Sequence, residues 1–134
     1  TNKFVPGENA GIWWVPFVVK PKIPTTNGVE DNIPAIALAH ELAHAEDYFN
    51  GTMKKNKVWI SKQYLEQNNY KFDDHIYDRE KYATHIENKI RAQYGLPLRT
   101  HYAVSTDGVP IECTAILNHQ SESIFYGKYK YLNN

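Results

Sequence analysis

The sequence predicts a small single domain of the α+β class, two helices packed against a small, mostly antiparallel sheet. Three observations carry this. Residues 33–50 are a nearly continuous apolar run opened by Pro34 and closed by Asn50-Gly51, the pattern of a helix with both ends marked. Residues 73–94 place Ile76, Glu80, Ala83, Glu87, Ile90 and Tyr94 at spacings of four and three, one face of a second helix. Ile12 to Val19 is dense in β-branched and aromatic residues, and Thr106-Asp107-Gly108 separates two further β-type runs as a hairpin turn would.

In chain order, residues 1–11 hold Pro6, Gly7 and Gly11 and read as an irregular lead-in. The strand 12–19 contains Pro16, which cannot donate to a ladder, so an edge or bulged position is expected. Pro21, Pro24, Asn27 and Gly28 mark 20–31 as a loop. Asp31 or Asn32 then caps the first helix. Residues 52–72 are polar apart from Val58-Trp59-Ile60 and predict a loop with a short strand or helical turn. The second helix starts near Asp73-Asp74, whose charge suits a helix N-terminus, and stops at Gly95 with Pro97 beyond. Residues 102–105 and 109–117 form the hairpin, and Ile124 to Leu132 a last strand.

Length and composition bound the function. A chain of 134 residues suits one domain with a real core. The single cysteine, Cys113, forms no internal disulfide and excludes a Cys-rich zinc site; a small buried hydrophobe is its ordinary role. Lys+Arg and Asp+Glu are 15 each, so no basic balance points to nucleic acid. No apolar run reaches the roughly 18–20 residues of a membrane span. Neither nucleic acid nor membrane insertion is therefore expected. The start carries no signal-peptide pattern and no initiator Met.

The chemistry sits in the first helix. His40-Glu41-Leu42-Ala43-His44 reads HExxH. Side chains at i and i+4 stack on one helical face, so His40 and His44 can converge on one Zn²⁺. Glu41 lies roughly 100° round the helix, outside the metal's ligand set but within reach of a bound water, where it serves as general base. Ile33, Ile36, Ala37, Leu38, Ala39, Leu42, Ala43 and Ala45 surround the motif and predict a helix buried on most sides. Buried imidazoles and a buried carboxylate need partners, and a metal supplies them.

A catalytic zinc takes three protein ligands and an open position. The extended HExxHxxGxxH pattern fails, because Asp47 and Asn50 stand where Gly and His belong. The second helix offers two carboxylates on its apolar face, Glu80 and Glu87, about 10.5 Å apart along the axis. Glu80 is the preferred ligand, with Thr84 one turn on as a hydrogen-bonding support. Glu87 pairs with Arg91 or Arg99. An ordinary surface ion pair with Arg79 or Lys81 is the bland alternative for Glu80. His75, His85, His101 and Asp74 are competing ligands. Tyr102, His101 and Arg99 are candidate donors to an oxyanion, and Tyr102 is the one chosen. Trp13-Trp14 either pairs with extended substrate or packs in the core.

Leu38-Ala39-His40-Glu41-Leu42-Ala43-His44-Ala45, followed by Asn50-Gly51, resembles the active-site helix of NleD-type effector metallopeptidases and of related toxin domains at the C-termini of Rhs-repeat polymorphic toxins. Glu80 to Thr84 with Glu87-Asn88-Lys89-Ile90-Arg91 resembles that group's second block, and Gly95 to Tyr102 the segment after it. Ile12-Trp13-Trp14 fits the strand of the Rhs-linked members. The resemblance spans roughly 12–102. It implies a small zincin fold with a glutamate as third ligand, matching Glu80. It also implies a secreted or injected effector, delivered by a specialised secretion system, that cleaves proteins in another cell. On that reading residues 1–134 are one domain, the C-terminal toxin part of a longer chain, with a cognate immunity protein as a further partner. The hairpin after Tyr102 and the Tyr-rich tail lie outside the resemblance. A zinc hydrolase of nucleic acid or cell wall, and a non-catalytic metal-binding module, are the rival readings; a basic groove would mark the first, a fully coordinated metal the second.

Overall fold

A computed structural model describes residues 22–131. The strand expected at 12–19, with Trp13-Trp14, lies outside them. The architecture of the described residues is α+β: three helices and two small antiparallel sheets. β1 (Lys22–Thr25) pairs with β2 (Gly28–Asp31), and β3 (Val58–Ile60) pairs with β4 (Ile76–Tyr77). The helices are α1 (Pro34–Phe49), α2 (Lys62–Gln67) and α3 (Arg79–Gln93). α1 and α3 make the most extensive packing of any two elements, and they hold the site.

Residues 22–31 correct the expected loop. The Asn27-Gly28 turn joins two strands: Gly28 takes φ +99°, and the Thr25 hydroxyl donates to the Gly28 carbonyl while accepting the Asn27 N–H. Pro24 is compatible with the strand because its carbonyl still accepts, from Thr100 N at 3.0 Å. With Thr26 N donating to Leu98 O, β1 is flanked on its other side by residues 98–100.

α1 is capped one residue later than expected, at Ile33, without a side-chain cap bond; Asn32 instead accepts from Arg91 Nη2 at 2.7 Å. Its end is as read, with Asn50 as cap and Gly51 at φ +72°. The helix is not buried on most sides. Its inner face is Ile36, His40, Ala43, His44 and Asp47, while Leu42 is 51% exposed and Phe49 62%. Apolar residues and small alanines lie on nearly every side of this helix, so the sequence alone does not single out the buried face.

α3 starts later than Asp73-Asp74. The Asp74 carboxylate accepts the His75 N–H and the Tyr77 hydroxyl, closing a local turn before β4, and the helix opens after Asp78. Its buried face is Glu80, Ala83, Thr84, His85, Glu87, Asn88, Arg91 and Ala92; Tyr94 is 71% exposed, so the 4-3 spacing drifts off the core in the last turn.

Further apolar burial flanks this pair. Ile60, Leu65 and Ile76 form one cluster and Ala92, Leu98, Ile116, Leu117 and Tyr131 another, with Trp59 and Tyr102 packed against both. The hairpin at 102–117 is present as bridges at His101–Ala115 and Val104–Pro110, interrupted by a 3-10 turn at Glu112–Thr114. The tail is not a continuous strand. Short turns bring Ser123 N to Tyr129 O and Ile124 N to Ile116 O.

Candidate metal centre

Because α1 and α3 run in opposite directions, the motif histidines face the carboxylates of α3. His40 Nε2 lies 3.0 Å and His44 Nε2 2.9 Å from the same oxygen, Glu80 Oε1. All three side chains are buried, with their donor atoms within 4.8 Å of one another, and among the described residues they are the group that can hold a metal ion. The chemistry fits zinc. Two imidazole nitrogens and one carboxylate oxygen, all within 4.8 Å of one another, are the donor set of a catalytic zinc with one position left open.

Glu80 has no surface role. Lys81 bonds Asp78 at 2.8 Å, and Arg79 reaches the Lys55 carbonyl and lies over the Tyr77 ring. The competing ligands are engaged elsewhere. His75 Nδ1 accepts the Lys62 N–H and so helps cap α2. His85 bonds the Tyr131 hydroxyl and stacks on Tyr126. His101 Nδ1 bonds Thr100 Oγ1 at 2.8 Å. Asp47, in the failed position of the longer motif, accepts from Thr52 Oγ1 at 2.6 Å. The support expected from Thr84 is missing: its hydroxyl, like His44 Nδ1, is buried with no hydrogen-bond partner.

Glu87 pairs with both arginines expected of it, Arg91 Nε at 3.0 Å and Arg99 Nη1 at 2.8 Å. Its third partner, His40 Nδ1 at 3.0 Å, is not named by the sequence pattern. The inward spacing from Glu80 was the available signal. Asn88 was also missed; its amide both donates to Arg99 O and accepts Arg99 N–H, docking 98–100 on α3.

The electrostatics follow from these contacts. Burial alone would lower the His40 pKa, but the bonds to Glu80 and Glu87 and their charges overcome it and raise it to about 9. Burial would raise Glu80, but the two imidazoles hold it well below the usual carboxylate range. Glu87 is likewise lowered against burial, chiefly by the Arg99 charge and the His40 bond. Tyr102 is half-buried, its ring 6.4 Å from that of His40. Burial, then the charge of Glu80 and that of Glu41, push its pKa above the ordinary phenol value, so at neutral pH its hydroxyl is a donor. The fork of Arg99 is occupied by Glu87 and by the carbonyls of His101 and Tyr102, which removes it as an oxyanion donor. Glu41 is partly exposed on the neighbouring face of α1.

Residues 3–102 match the family model Peptidase_M91, described as an effector protein. No curated protein and no solved structure matches the chain.

Proposed function

The chain belongs to the Peptidase_M91 family of effector proteins, the NleD-type metallopeptidases, and from that premise we propose that it is a zinc-dependent endopeptidase acting on a protein of the cell it enters. The observation that carries this is the buried convergence of His40, His44 and Glu80 beside the partly exposed Glu41.

His40, His44 and Glu80 would hold the zinc. When bound, the metal supplies a Lewis acid that acidifies a water and polarises the scissile carbonyl. Glu41 takes the proton from the attacking water and returns it to the leaving amine. Tyr102 donates its hydroxyl hydrogen to the oxygen that becomes negative, a role its neutral form permits. In this reading the chain is the toxin domain of a delivered protein, and an immunity protein neutralises it in the producing cell.

Glu41→Gln tests the base. The variant is expected to keep its zinc and lose about 10²-fold or more of its proteolysis. Retained zinc with full activity would refute the role. Expression of both forms inside target cells, followed by a search for a protein cleaved only by the wild type, tests the substrate class. Cleavage of nucleic acid or cell-wall peptide instead would favour the rival hydrolases.

A further inference from the structure

The fully buried carboxylate of Glu87 joins two parts of the molecule that the proposed reaction uses. Its Oε1 meets His40 Nδ1 at 3.0 Å and Arg99 Nη1 at 2.8 Å; its Oε2 takes Arg91 Nε at 3.0 Å. Arg99 then continues outward. Its Nε donates to His101 O at 3.2 Å, another N–H donates to Tyr102 O, and its guanidinium lies 5.1 Å from the centre of the Tyr102 ring. Asn88 fixes the Arg99 backbone from the same helix, and Arg91 is braced by Asn32 and Pro97. A continuous hydrogen-bonded path thus runs from His40 to the backbone of Tyr102.

We propose that Glu87 and Arg99 are the positioning pair of this centre, resting on the metal reading above. Glu87 accepts the Nδ1 proton of His40, which leaves the Nε2 lone pair for the metal and fixes the ring's rotation. Arg99, bonded to the same oxygen, sets the place of Tyr102 relative to that ring. A carboxylate on the far nitrogen of a metal-bound histidine fixes its tautomer and raises its basicity, and losing such a partner typically costs 10- to 100-fold in metal affinity. Both residues act through others, Glu87 through His40 and Arg99 through the 101–102 backbone.

The test uses the zinc-loaded full chain. Nitrogen-15 NMR of its histidines, with His40 assigned from His40→Gln, is expected to show a slowly exchanging proton on Nδ1 and none on Nε2. A ring protonated on Nε2 would overturn the assignment, and this needs no Glu87 variant to fold. Chelator competition is expected to find zinc bound about 10- to 100-fold more weakly by Glu87→Gln at unchanged circular dichroism; unchanged affinity would overturn it. Arg99→Lys keeps the charge but loses the fork, and should shift the Tyr102 ring resonance, whereas Arg79→Lys should not. An unmoved Tyr102 signal would remove Arg99 from the pair. Failure of the metal reading has its own signature: His40→Gln would then bind zinc as the wild type does.

Discussion

The two ends of the α1–α3 seam bury the same group under opposite conditions. At one end Glu87, 0% exposed, is bonded to two guanidiniums and an imidazole, so its charge is matched by cations that never titrate. At the other, Glu80, 4% exposed, offers one oxygen to two imidazoles. Imidazoles balance a carboxylate only when a proton or a metal is present. A buried carboxylate is therefore not a metal signal by itself. It becomes one where histidines are its neighbours and no guanidinium matches its charge.

This contrast can be broken by substitution. Glu87→Ala leaves Arg91 and Arg99 buried without their counter-charge and is expected to cost about 3–5 kcal/mol in denaturant unfolding of the metal-free protein. Leu65→Ala, in the apolar cluster, should cost about 2–5 kcal/mol and leave metal binding alone. Glu80→Ala should cost the metal-free protein less, about 1–3 kcal/mol, yet abolish tight zinc binding. Equal losses at the two glutamates would end the distinction.

The two glutamates also differ in how their partners respond to pH. The His40 pKa is raised from 6.5 to about 9, so its proton stabilises the metal-free fold fully below about 6.5, and that contribution is lost as pH rises through about 9. In the proposed centre, zinc would displace this proton. Calorimetry at pH 7 in buffers of different ionisation enthalpy should record release of about one proton per zinc. The smallest effect is expected at Leu42, where Leu42→Gln should shift stability by no more than about 0.5 kcal/mol, because that face of α1 is half open.

What was legible in the sequence follows from local rules. HExxH fixes its own geometry on a helix, and Asn50-Gly51 marks where that helix stops. The 4-3 spacing turned Glu80 and Glu87 inward, and charge matching assigned Arg91 and Arg99 to Glu87. The misses depend on distant partners. Asn32 and Asp74 look like helix caps, but Arg91 claims the first and a local turn the second. Pro24 reads as a loop residue until residues 98–100 are seen alongside it. The contact of Glu87 with His40 links positions 47 residues apart; the inward spacing gives its direction but not its partner.

The proposed centre depends most directly on Glu80 as a zinc ligand. Chelator-competition titration of the wild type and Glu80→Ala, each checked for folding, decides it. One zinc per wild-type chain and none held tightly by the variant is the predicted result; a variant that binds zinc with wild-type affinity would contradict it.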